Sequence, residues 1–343
     1  MIETKKAHEL DIVELTEDLP EFGLRQGERG TVVEVFDNPE EAYMLEFVDK
    51  SGADSRLAYG VKPNQINNIS SIAKDYYVRG ISNLQNGNFL EALRDLRQAV
   101  NLIPSYIRSL HESLAKPLTE VEDWPKFIWA MRFIILIDSS YEFSRNNLAI
   151  AYLNYGACEA DKGNFDEALQ LFYLALTIKS TPDITLLIRE NISTSHTVLG
   201  ARTHQQGNFQ LSLQHFQTAY TFNPNDRTRY NLGLAYAYLA KFYVSIGKLE
   251  DAINHYLMAE NAGLITPEVL NNHAITLAKS GNETEAMMLF ESALNLAPED
   301  KTILSNLSIL MKSEDSSDFI TEDVAVQFSP TSPMNVAELS VAI

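Results

Sequence analysis

The sequence predicts a mainly α-helical protein: a solenoid of stacked helical hairpins preceded by a small antiparallel β-barrel. Three observations carry this. Glycines recur at a regular spacing ahead of an alanine–aromatic–alanine pattern, most clearly at Gly247 and Gly281. Positions 1–69 lack that pattern and alternate short β-branched runs with tight turns. After Lys312 the chain turns to serine, proline and acidic residues, with no Lys or Arg. The predicted divisions are therefore 1–69, a β-barrel; 70–312, the solenoid with a capping helix; and 313–343, a disordered acidic tail.

In the first division, residues 10–15 (LDIVEL), 31–36 (TVVEVF), 43–48 (YMLEFV) and 56–61 (RLAYGV) read as strands. Pro20 and Gly23, residues 27–30 (GERG), Asn38-Pro39 and the hairpin signal at 49–52 (DKSG) separate them, and residues 62–66 (KPNQI) close the unit. With residues 15–20 (LTEDLP), these segments resemble the DUF4926 family of small SH3-like barrels, which implies a fold and no activity. The Gly-x-x-Gly turn is also similar to KOW-type barrels of ribosome and transcription factors. That similarity would imply RNA binding, but Glu14, Glu17, Asp18, Glu21, Glu28 and Glu34 oppose a polyanion. A docking barrel or a cap on the solenoid is the other reading.

In the second division the turn glycine ends a helix where the chain must go left-handed. The alanines let two helices approach, and the aromatic fills the gap between neighbouring hairpins. Gly87 is followed by Phe89, Ala92, Leu96 and Ala99; Gly163 by Phe165, Ala168, Phe172 and Ala175; Gly207 by Phe209, Ser212, Phe216 and Ala219. The clearest copies run from Gly247 through Ala252, Tyr256 and Ala259, and from Gly281 through Ala286, Phe290 and Ala293. Gly87 and Gly163 stand too far apart for one period. A degenerate hairpin fits between them, with Trp124, Phe127, Met131, Ile134 and Ile137 on its second helix, Glu122 replacing the turn glycine and Pro125 in the first turn. That makes six hairpins. The intervals from Gly163 to Gly207 and from Gly207 to Gly247 exceed the one from Gly247 to Gly281. They predict lengthened first helices, using apolar stretches such as 184–188. Residues 300–311 form a capping helix with a more polar outer face.

The interval from Gly247 to Gly281 resembles that of the tetratricopeptide (TPR) repeat family, whose period is about 34 residues. The resemblance implies a scaffold or adaptor that binds a partner peptide or helix in a groove lined by first helices. Carried over residue by residue, it assigns to the groove Tyr77, Gln85, Asn154, His204, Gln205, Lys241, Asn271 and Lys279. The set that clamps a C-terminal carboxylate in some TPR domains is not reproduced: Lys74 is in register, but Val78 stands where asparagine is needed. Ile150, Leu153, Leu234, Ala237 and Ile275 make the groove apolar, suited to a segment with apolar anchors.

No chemistry stands out. A net charge of −19 disfavours nucleic acid and anionic membrane as partners. The single cysteine, Cys158, forbids an internal disulfide and reads as core packing. The seven histidines are scattered; His196 and His204 share a helix without a carboxylate or cysteine to complete a metal set. No phosphate loop, dinucleotide fingerprint or nucleophile elbow occurs. The expectation is no enzyme, no cofactor and no metal. No run of about 18 apolar residues or apolar leader is present, so no membrane insertion is expected and the setting reads as the bacterial cytoplasm.

The tail has two readings. One is a solvated extension. The other is a segment that docks in the groove, its own or a neighbour's. Glu314, Asp315, Asp318, Glu322 and Asp323 complement Lys241 and Lys279, and the island 324–328 (VAVQF) complements the apolar walls. The function expected is thus a non-enzymatic interaction scaffold, with a ribosome- or nucleic-acid-associated regulator acting through the barrel as the alternative.

Overall fold

The computed structural model describes residues 6–49, 52, 54–119, 123–312, 319–324, 328–329 and 333–335. The turn residues Lys50 and Ser51, the position of Glu122, residues 313–318 and 325–327, Pro330 and the end of the tail from 336 lie outside the described residues. The chain falls into two compact units, one reaching Leu148 and one running from Ala149.

In the first unit, β1 (Ile12–Leu15), β2 (Arg29–Phe36), β3 (Ala42–Val48), β4 (Ser55–Val61) and β5 (Ile66–Asn68) form one antiparallel sheet in the order β4-β3-β2-β1-β5. Alternation along the strands sends Val13, Leu15, Val32, Tyr43, Leu45, Phe47, Ala58 and Val61 into one core. Register shifts at Val32/Glu34, with the extra residue in β2, and at Tyr43/Leu45, with the extra residue in β4, bend those two strands around it. The sequence predicts a barrel, but the sheet is not closed: no pairing joins β4 to β5 among the described residues. β5 is short, pairs with β1, and runs straight into a helix, so it has no length left to reach β4.

That helix is α1 (Ile69–Gln85). Asn68 caps it by accepting from the Ser71 amide at 2.9 Å, and Ser70 Oγ accepts from the Ile12 amide at 2.9 Å. The sheet therefore passes into the first hairpin, α1 with α2 (Phe89–Leu102), without a linker. The degenerate hairpin is α3 (Tyr106–Thr119) and α4 (Trp124–Ile137); Asp123 caps α4, Pro125 lies in its first turn, and Phe127, Met131 and Ile134 are buried. The following helix, α5 (Glu142–Asp161), begins in this unit and ends in the next.

The second unit continues with α6 (Phe165–Leu176) and the hairpins α7 (Pro182–Gln205)/α8 (Phe209–Phe222), α9 (Asp226–Ser245)/α10 (Leu249–Asn261) and α11 (Pro267–Lys279)/α12 (Glu283–Leu296), then α13 (Lys301–Met311). Gly163, Gly207, Gly247 and Gly281 all have φ between 75° and 89°, where any side chain would be strained. Phe172, Phe216, Tyr256 and Phe290 are at most 1% exposed, between alanines of facing helices. Gly156 exists for this packing: a Cβ there would meet the Phe172 ring at 2.5 Å. The extra residues lengthen first helices. The α7 helix has 24 residues and α9 has 20, against 13 in α11.

On α13, Lys301 and Ser305 are exposed together with Leu304 and Met311, while Ile303 and Leu310 fill the core. One further expectation fails. Cys158 is half-buried rather than a core residue.

Candidate functional site

Four helices of the second unit carry an asparagine in their interior: Asn191 on α7, Asn231 on α9, Asn272 on α11 and Asn306 on α13, none more than 2% exposed. Asparagine is a poor helix former, and its amide is costly to bury without partners. The positions follow a register. Asn191 and Asn231 each stand sixteen positions before the turn glycine of their hairpin. Asn272 stands nine before Gly281, and Asn306 follows Asn272 by one repeat period. The two offsets differ by close to two helical turns, so all four lie on equivalent helix faces.

Their partners are backbone groups of residues beyond α13. Asn306 Nδ2 donates to the Ile320 carbonyl at 2.8 Å, and the Ile320 amide donates back to Oδ1 at 2.9 Å. Asn272 treats Glu322 the same way, at 2.8 and 2.9 Å, and Asn191 treats Asn335 the same way, at 2.8 Å both times. Asn231 Oδ1 accepts from the Ser329 amide at 2.8 Å. Tyr238 donates its hydroxyl to the Val324 carbonyl at 3.2 Å. Residues 320, 322 and 324 alternate, as they must when an extended chain turns successive backbone groups to opposite sides.

Side chains add charge and apolar contacts. Lys241 pairs with Asp323, whose carboxyl it holds below the ordinary carboxylate range. Burial pushes the Tyr238 phenol up to about 12, helped by the charge of Asp323. Burial also raises Glu322, with Asp300 and Glu268 adding repulsion. Val324 is buried against α9, α10 and α11. The Phe328 ring stacks on Phe216 at 4.4 Å and meets His204 edge-on at 5.0 Å. Burial holds the His204 imidazole below its usual pKa.

Of the residues the sequence assigns to a groove, His204, Lys241 and Asn271 meet this segment. Asn271 Nδ2 reaches the Ile320 carbonyl at 3.4 Å, and its Oδ1 accepts from Asn306 at 2.9 Å. Gln205 is exposed at the end of α7, and Lys279 makes no ion pair among the described residues. Asn154 is half-buried on α5. Tyr77 and Gln85 belong to the first unit, where Tyr77 stacks on Tyr106 at 4.7 Å and Gln85 is exposed. Sequence reasoning missed Asn191, Asn231, Asn272, Asn306 and Tyr238. The available signal was a repeated asparagine inside helices at matching distances from the turn glycines.

A second polar cluster stands apart from these contacts. His196 and His215 bring ring nitrogens to 2.9 Å, and Tyr173 meets the other nitrogen of His196 at 3.1 Å. Burial, then the neighbouring imidazole, lowers His196 to about 4, so the pair is held neutral. Among the described residues no group of three His, Cys, Asp or Glu is placed to hold a metal, and no helix is long and apolar enough to cross a membrane.

No curated protein matches this sequence. Residues 9–58 match the model of a domain of unknown function (DUF4926), and residues 145–183 match a tetratricopeptide repeat model. Solved structures similar to the chain include that of pilF from Pseudomonas aeruginosa, at 18% identity and a TM-score of 0.27, covering 72% of this chain and 99% of that one. YrrB, "a TPR protein with an unusual peptide-binding site", is similar at 18% identity and a TM-score of 0.25, covering 63% and 96%. The TPR2AB domain of yeast Sti1, in complex with pHSP90, is similar at 13% identity and a TM-score of 0.26, covering 72% and 99%. The chain thus joins an N-terminal sheet matching DUF4926 to helical hairpins of tetratricopeptide type.

Proposed function

We propose that this protein is a non-enzymatic interaction scaffold, and that the first helices of its second unit bind an extended segment through its backbone. The observation that carries the reading is the set of three asparagine amides, on α7, α11 and α13, that each engage both the N–H and the C=O of one residue. Such pairing replaces water on both backbone groups at once, and each hydrogen bond contributes roughly 0.5–1.5 kcal/mol net. The C-terminal residues 319–324, 328–329 and 335 act as a built-in occupant, competing with a partner for the same asparagines. Tethering favours them, since a linked segment sits at an effective concentration in the millimolar range. The tetratricopeptide match supports a peptide-binding role. The single cysteine is in keeping with a cytoplasmic setting.

The test removes residues 313–343 and compares capture of partners from a lysate, identified by mass spectrometry, with that of the full chain. Stronger capture of the same partners is expected. Unchanged capture would leave the tail without a competing role.

A further inference from the structure

An asparagine amide reads the N–H and C=O of any residue but proline, so the backbone contacts carry no side-chain information. Side chains are read between the hairpins. Phe319 packs on the cluster shared by α11, α12 and α13, its ring 6.3 Å from that of Phe290. Val324 fills the cluster of α9, α10 and α11. Phe328 enters the cluster of α8 and α9. Each of the three occupies a seam between successive helical pairs; Asn306 and Asn272 hold residues 320 and 322 between the first two anchors, and Asn231 holds residue 329 directly after the third. With the backbone pinned next to or near each anchor, an anchor cannot slide to a neighbouring position without breaking these bonds.

We propose that this face selects, among extended segments, those with an aromatic, an aliphatic and an aromatic anchor spaced as Phe319, Val324 and Phe328 are. An acidic residue directly before the aliphatic anchor meets Lys241. The segment runs from α13 towards α7. This inference rests on the peptide-binding reading, and residues 319–328 of the chain are the template for the partner's pattern: Phe319, Asp323, Val324 and Phe328.

The test uses the full chain carrying Phe319→Ala, Val324→Ala and Phe328→Ala. Loss of exchange protection at the Ile320 and Glu322 amides confirms that its own tail has left the face. Fluorescent peptides spanning residues 319–335 are then titrated in. The native peptide should bind. Peptides with Phe328→Ala or Val324→Ala should bind about tenfold more weakly, as loss of a buried apolar side chain requires. One glycine inserted between residues 326 and 327 should weaken binding at least as much, whereas Thr321→Ala should change it less than twofold. If the native peptide binds and the anchor and insertion variants fall within twofold of it, the anchor rule is wrong while the peptide-binding reading stands. If the native peptide does not bind the vacated face, the peptide-binding reading fails and the rule with it.

Discussion

Asn147 in the first unit and Asn191 and Asn231 in the second occupy the same repeat position, sixteen positions before a turn glycine. Asn147 meets His111 Nε2 on α3 at 3.0 Å, a contact made within the first unit. Asn191 and Asn231 meet the backbone of Asn335 and Ser329. The same repeat position thus serves a side-chain contact between helices in one unit and backbone contacts to a C-terminal segment in the other. A buried asparagine at a repeat position is therefore no evidence of binding until its partner is known.

The largest effect expected from this contrast is in the second unit. Asn272→Ala with Asn306→Ala removes four hydrogen bonds to residues 320 and 322, about 1 kcal/mol each. Residues 319–324 should then become susceptible to limited proteolysis, while the circular dichroism melt of the helical body shifts little. Asn147→Ala removes the contact to His111 on α3. It leaves His111 without that partner in a buried site, at a cost of about 1–3 kcal/mol to the first unit, and leaves cleavage near residue 320 unchanged. If Asn272→Ala with Asn306→Ala leaves residues 319–324 as protected as before, the contacts assigned to those two asparagines do not hold the segment.

Acid separates the units less sharply. The folded state holds His111 and His196 below the ordinary histidine value, mainly by burial. The unfolded chain takes up these protons at about 6.5. Each group therefore contributes stability that is full above about pH 6.5 and is lost as pH falls, for His196 down to about 4. Thermal melts should drop as pH falls from neutral towards the His196 value, and His196→Gln should flatten that dependence in the second unit only. The smallest effect belongs to Lys241→Glu. Its ion pair with Asp323 is exposed, so reversal should weaken retention of residues 319–324 only slightly, read as a modest rise in their exchange rate.

The elements were legible where a local rule forces a residue type. Left-handed turns need glycine, so Gly163, Gly207, Gly247 and Gly281 mark hairpins at sight, and strand alternation locates β2, β3 and β4. Lys241 was legible as a cation in an acidic chain. The asparagines were not, because a polar residue within a helix reads as solvated. Their burial comes from residues far along the chain: Asn191 and Asn335 are 144 positions apart. Closure of the sheet was misread because strand count does not set the length of β5.

The most direct measurement is hydrogen exchange of the full chain, resolved to single amides between residues 319 and 335. The amides of Ile320, Glu322, Ser329 and Asn335 donate to asparagine side chains and should exchange well below the rate of an unstructured peptide, and more slowly than that of Thr321. Exchange of all four at the unstructured rate would contradict the account.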